Sequence, residues 1–242
     1  MWQTTATALR AGGEVVLVDS PYFPDELELL PSVLRQTGFE PSALIATHGD
    51  FDHVLGRLAF PGLALGVGDS TMERLRAEPG APQRDLRDHD ARFYVERSAP
   101  LSLGRLQALP VPGRVELGDQ ELELHPAEGH TADGTAVLAP FCRVLVCGDY
   151  LSDVEIPVVS PGGSLPAYRD TLLRFAPLLE GADTVVPGHG RPQGADRARE
   201  ILDEDLEYLE ALERLEARPR LPPGRDSPEQ RRIHLENLER TR

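Results

Sequence analysis

The chain has 242 residues, 40 of them acidic and 25 basic, and every basic residue is arginine, which leaves a net charge of −15. That balance excludes a nucleic-acid partner held by clustered cations, because neutralising phosphates requires Lys and Arg gathered on one surface. Two cysteines, Cys142 and Cys147, exclude a disulfide framework, and the length supports a core that needs no covalent staples. Residues 1–13 lack the basic start and apolar stretch of a signal peptide, and no run approaches membrane-spanning length. The expectation is a soluble cytoplasmic protein with no membrane partner. A homo-oligomer stays open, with nothing in the sequence to support it.

In chain order, the first β-rich runs are EVVLVDS at 14–20 and ALIATHGD at 43–50. Between them Leu27, Leu30, Val33 and Leu34 recur at helical spacing, and Gly38 supplies the stop. Residues 63–78 repeat this strand–helix pattern. Residues 79–113 are polar and Pro-rich, and read as an irregular insertion with at most one short helix. From 114 the period changes to two: RVELG and DQELELHP form a hairpin around Gly118 and Asp119. GTAVLAP and CRVLVCGD follow as strands, then a helix near 167–180, then the strand DTVVPGH at 183–189. Residues 194–217 are almost all helix formers, with an apolar stripe of Ile201, Leu202, Leu206, Leu209, Leu212 and Leu215. LPPG ends that run, and Ser227-Pro228-Glu229-Gln230 starts another helix with capping-box spacing. The expected organisation is an α+β domain at 1–193 with a helical extension at 194–242 packed on it.

Four of the seven histidines sit where strands end. Thr47-His48-Gly49-Asp50-Phe51-Asp52-His53 follows an apolar strand, and Gly129-His130-Thr131 follows the hairpin. Cys147-Gly148-Asp149 and Pro187-Gly188-His189-Gly190 each end a further strand. Polar residues at the ends of successive buried strands are where such folds assemble sites. Imidazoles and carboxylates together suit zinc, iron or manganese, and His48, Asp50, Asp52, His53, His130, Asp149 and His189 suffice for two ions.

In these residues the chain resembles the metallo-β-lactamase superfamily, whose signature is a His-x-His-x-Asp-His segment followed by separate His, Asp and His ligands. The resemblance spans about residues 14–190, with one departure: Asp50 stands at the second His of the segment. It implies an αββα four-layer sandwich and two divalent metal ions, zinc first, with iron or manganese as alternatives. By the resemblance His48 and His130 hold the first metal together with Asp50, and Asp52, His53 and His189 hold the second. Asp149 bridges both, and Asp52 and Asp149 count as catalytic. The implied activity is hydrolysis of an ester, thioester, lactone or phosphoester bond of a small molecule by a metal-bridging hydroxide. Asp50 adds a negative charge and a harder ligand, which moves preference towards iron or manganese. Flavodiiron members resemble this chain in carrying a carboxylate at that place. An iron-dependent oxidoreductase, with diiron O₂ or NO chemistry or thiol dioxygenation, is therefore the alternative, followed by a non-catalytic metal-binding module.

Three further residues are candidates for substrate contact. Tyr150, beside Asp149, is placed to donate to a substrate oxyanion. Arg231 and His234 share a face of the last helix and would suit a substrate carboxylate or phosphate. His89 and His125 read as solvated or structural, and Cys147 as a small core residue.

Overall fold

Short apolar runs that alternate with one-sided helices bury two faces of each sheet, and here they build two sheets. The computed structural model describes residues 3–216 and 219–241. In the first sheet β1 (Ala6–Ala11) and β2 (Glu14–Asp19) pair antiparallel, and β3 (Ala43–Ala46), β4 (Leu65–Gly68) and β5 (Leu106–Leu109) continue in parallel in the order 1-2-3-4-5. The second sheet contains β6 (Gly113–Leu117), β7 (Gln120–Pro126), β8 (Thr135–Ala139), β9 (Val144–Val146), β10 (Thr184–Val186) and β11 (Gln193–Gly194), ordered 11-10-9-8-7-6. Only β9 and β10 are parallel there. The β6–β7 hairpin turns at Gly118-Asp119, where Gly118 has φ +58° and a Cβ would collide with Ala11 O.

The inner faces of the two sheets meet in one apolar layer: Val16, Val18 and Ile45 from the first, Leu124, Val137 and Val146 from the second. Outside the first sheet lie α1 (Pro24–Gln36), α2 (Gly56–Ala59), α3 (Asp69–Ala77) and α4 (Ala81–Phe93), which cover Leu17, Leu44 and Leu65. Outside the second lie α5 (Leu165–Leu178), α6 (Ala195–Glu213) and α7 (Pro228–Arg240), where Phe175, Ile201, Leu212 and Leu238 share one cluster with Leu145 and Val185. This is the αββα four-layer sandwich. No helix among the described residues is long and apolar enough to cross a membrane.

Three features depart from the sequence reading. β1 went unread because ATALRA is an edge strand rich in alanine, with only Leu9 and Ala11 buried. The 79–113 segment is more ordered than expected: α4 runs for 13 residues but buries only Pro82 and Leu86, too few for an apolar period. It also contributes the edge strand β5. At the other end α6 stops at Glu213, and Leu215, counted in its stripe, lies outside the helix with φ +55° and is half exposed. Residue 217 of that expected helix is outside the described residues. Ser227 caps α7 as expected, its Oγ accepting from Gln230 N at 3.2 Å.

The ends of β2, β3, β9 and β10 lead into Asp19, His48, Asp149 and His189, and the β7–β8 connection carries His130. Because α6 shares the cluster that covers the second sheet, extension and sandwich should unfold together. Leu212→Ala should lower stability by about 2–5 kcal/mol. Urea denaturation should remain a single transition, with far-UV and near-UV circular dichroism coincident.

Candidate metal centre

Asp149 lies between four imidazoles. Its Oδ2 is 3.2 Å from His130 Nε2, 3.3 Å from His189 Nε2 and 3.8 Å from His48 Nε2, and its Oδ1 is 3.0 Å from His53 Nε2. Around this carboxylate the donors form overlapping groups. His48, Asp50 and His130 make one, with Asp50 Oδ2 at 3.7 Å from His48 Nε2 and 3.9 Å from His130 Nε2. Asp52, His53 and His189 make another, with Asp52 Oδ2 at 3.2 Å from His189 Nε2 and 3.5 Å from His53 Nε2. His48, His53 and Asp149 link the two.

Other parts of the chain aim these rings inward. His53 Nδ1 donates to Asp19 Oδ2 at 2.9 Å, and Asp19 also accepts from Thr47 N and Thr47 Oγ1 at 2.8 Å each. His130 Nδ1 donates to Val158 O at 2.8 Å. Ser152 Oγ donates to His189 O at 2.7 Å. With the outer nitrogens of His53 and His130 engaged, their Nε2 atoms face the cluster, the arrangement by which proteins orient metal-ligating imidazoles.

The donor set fits divalent cations. His48 Nε2, His53 Nε2, Asp52 Oδ2 and Asp149 Oδ1 are buried and make no hydrogen bond, although His53 Nε2 and Asp149 Oδ1 approach closely. Buried polar atoms left so are costly unless something else pairs with them. Gly188 leaves room beside them, since a Cβ there would collide with Asp149 Oδ1 and His53 Cε1. The electrostatics of the cluster carry the same demand for positive charge. Burial disfavours the imidazolium of His53, His130 and His189, yet in each case Asp149 and neighbouring carboxylates outweigh it and raise the pKa. His48 goes the other way, lowered by burial and by His53. Burial opposes ionisation of Asp52, but His53 and His189 prevail and hold it at about 2.

All seven expected ligands are therefore brought together, while the three candidate substrate residues are not. Tyr150 is buried, and its hydroxyl donates to Ala127 O at 3.1 Å and accepts from His130 N at 3.0 Å, so it braces backbone instead of facing a substrate. Arg231 is a surface residue paired with Asp226. His234 is buried inside the extension, where its Nδ1 meets Tyr208 Oη at 3.1 Å and its Nε2 donates to Glu216 O at 2.8 Å. Helical spacing placed those two on one face, but that face packs inward at His234 and leaves Arg231 at the rim.

The same helix serves the site through other residues. Gln230 Oε1 accepts from Ile156 N at 2.8 Å; Asn237 accepts from Val159 N and donates to Pro157 O. Arg225 donates to Glu155 O and Arg240 to Val159 O, both at 3.0 Å. These bonds hold the 155–159 strap whose Val158 carbonyl orients His130. Asp19, Asp133 and Arg74 also went unread. Asp133 Oδ2 accepts from Gly49 N at 2.8 Å, and Arg74 ties Asp133 to Asp50. The Asp next to the end of EVVLVDS is a usable signal for the first. Arg74 carried none.

A sequence profile of the metallo-beta-lactamase superfamily matches residues 1–189. Among solved structures, a metallo-beta-lactamase from Pontibacter korlensis is similar at 18% identity and TM-score 0.63, covering 86% of this chain and 88% of that one. A metallo-beta-lactamase family protein from Thermus thermophilus shares 21% identity with TM-score 0.64, over 88% of this chain and 76% of its own. The inverting sec-alkylsulfatase Pisa1 from Pseudomonas sp. gives TM-score 0.67 at 15% identity, over 88% of this chain but 40% of its own. At these identities the likeness is one of fold.

The raised imidazoles give the stripped protein a definite pH dependence. A folded-state pKa above the unfolded value stabilises below about 6.5, and that stabilisation is lost as pH rises through the folded values. His53, His130 and His189 contribute in this sense and His48 against it. Metal needs neutral imidazoles, so its stabilisation grows over the same range. The difference in Tm between zinc-loaded and stripped protein should therefore widen from about pH 6 to about pH 8. Differential scanning fluorimetry checks this, and a constant difference would speak against imidazole ligation.

Proposed function

The chain belongs to the metallo-beta-lactamase superfamily, and from that premise we propose that it is a metal-dependent hydrolase of a small molecule's ester, thioester, lactone or phosphoester bond. The observation that carries the reading is the position of Asp149, one carboxylate within 3.8 Å of all four imidazoles, two of which belong to each of the other two donor groups. We assign His48, Asp50 and His130 to a first metal position, Asp52, His53 and His189 to a second, and Asp149 to both. Two divalent ions held there, zinc before iron or manganese, would supply activated water at neutral pH and polarise the substrate oxygen.

The chain's own residues do the rest. Asp19 and Val158 O keep the His53 and His130 rings in place, and Ser152 holds the His189 backbone, before substrate arrives, so that orientation is not lost at the moment of reaction. Asp50 has the most exposed side chain of the set at 26%, followed by Asp149 at 12%. Substrate therefore approaches over these two carboxylates, and Asp52 and Asp149 would take part in catalysis as ionised carboxylates holding the ions. Residues 194–242 act in this reading as an extension of the 1–193 domain that keeps the strap under His130. A cytoplasmic setting belongs to the same proposal, supported by two unpaired cysteines.

Asp50 favours one second reading. Its hard oxygen beside His48 and His130 suits iron, and iron would admit an oxidoreductase of the same fold. Metal analysis of protein purified without added metal separates the two. It should be followed by a panel of ester, lactone, thioester, phosphodiester, β-lactam and alkyl sulfate substrates, the last suggested by the alkylsulfatase likeness.

Asp149→Ala should reduce occupancy at both positions and abolish turnover of any substrate found. Asp50→Ala should empty the first position and leave the second filled by Asp52, His53 and His189. Mass-spectrometric stoichiometry reads both, and full occupancy in Asp149→Ala would show that the shared role is misassigned.

A further inference from the structure

Asp50 introduces a problem that its neighbours solve. A free carboxylate offers two equivalent oxygens and a full negative charge, whereas the imidazole expected at that place offers one lone pair and none. The two oxygens of Asp50 are not equivalent here. Oδ1 accepts from Arg74 Nη2 at 2.7 Å, while Oδ2 faces His48 and His130. Arg74 is fixed in turn, because its Nη1 donates to Asp133 Oδ1 at 2.6 Å and Asp133 Oδ2 accepts from Gly49 N at 2.8 Å. The guanidinium thus spans two carboxylates and is tied back to the loop that carries His48 and Asp50.

We propose that Arg74 is a positioning residue of the first metal position, which makes Asp50 a single-oxygen, partly neutralised ligand in place of an imidazole. The proposal rests on the assignment of Asp50 to that position. One Asp50 oxygen is already committed to Arg74, so the position presents two imidazoles and one oxygen besides Asp149, a compact set that suits zinc. With Arg74 removed, both oxygens become available and the carboxylate regains its full charge. More and harder oxygen donors favour manganese or ferrous iron over zinc. Lysine could not substitute, because a point charge on a flexible stem cannot hold two carboxylates in a fixed fork.

The test uses the full chain, stripped and then titrated with zinc or manganese against a chelator. Arg74→Met should shift the zinc-to-manganese affinity ratio of the first position towards manganese by about 10–100-fold, the usual scale for groups that orient a ligand. The cobalt-substituted protein should lose visible absorption intensity as coordination number rises. Arg74→Lys should lie between Arg74→Met and the parent. Because Arg74→Met strands the buried Asp133 carboxylate, the pair Arg74→Met with Asp133→Asn provides the same readout without an uncompensated charge. In an Asp50→His background Arg74→Met should change neither ratio nor spectrum, since the second oxygen is gone. An unchanged ratio and spectrum in the Asp50 protein would overturn the proposal. So would an equal shift in both backgrounds, which would mark a general disturbance of α3. If Asp50→Ala leaves the first position filled, the assignment of Asp50 fails instead, whatever Arg74 does.

Discussion

The Asp149 carboxylate, set among four imidazoles at the junction of the two sheets, is the contact on which the surrounding structure depends. Three carboxylates and four rings converge in a space largely closed to water. Charges in such a place are tolerated only when paired. Without a cation the cluster draws protons onto His53, His130 and His189, while burial and His53 keep His48 from following. Cations held in the same space would take over the role of those protons. The backbone is shaped to permit it: Gly188 passes beside Asp149 where a side chain of any size would intrude.

Holding that cluster requires a ring of groups that never meet a substrate. They come from distant parts of the chain: Asp19 from the end of β2, Thr47 after β3, Ser152 from the loop behind Asp149, and Val158 from the strap. The strap has no sheet or helix of its own. Its backbone groups are satisfied instead by Gln230, Asn237 and Arg240 of α7 and by Arg225 ahead of it. The extension is thereby connected to His130 through two hydrogen bonds in series. A change on α7 that touched none of the clustered His and Asp side chains would still reach the imidazole's orientation, because the carbonyl that fixes it would be free to move.

What the sequence disclosed follows from what each signal measures. Strand-end His and Asp residues could be read because their spacing is imposed by the strands before them, and the four layers followed from strand–helix alternation in each half. β1 and α4 escaped because each buries too little apolar surface to leave a period. Tyr150 and His234 point elsewhere than their sequence positions suggest, for a different reason. Position beside Asp149 or on a helical face does not say which way a side chain points, and both are turned towards backbone atoms in the interior. Asp133 and Arg74 are the hardest case. They act across 59 residues of sequence on a third residue, Asp50, and only the folded chain brings the three together.

The exclusive use of arginine acquires a structural meaning from these networks. Its planar fork can hold two oxygens at once, and several arginines here do so away from the surface. Arg225, fully buried, binds Asp205, Glu204 and the Glu155 carbonyl together. Arg57 gathers the carbonyls of Phe60, Pro61, Leu63 and Ser102. Arg74 spans Asp50 and Asp133. A lysine at any of these places would supply the charge but fix no more than one direction. In a chain whose acids outnumber its bases by 40 to 25, many carboxylates have no cation of their own, and the buried Asp133 and Asp205 each share an arginine with a second carboxylate. Sharing by a rigid fork fixes the distance between two carboxylates as well as neutralising them. At Asp50 that fixed distance decides which oxygen is left facing His48 and His130.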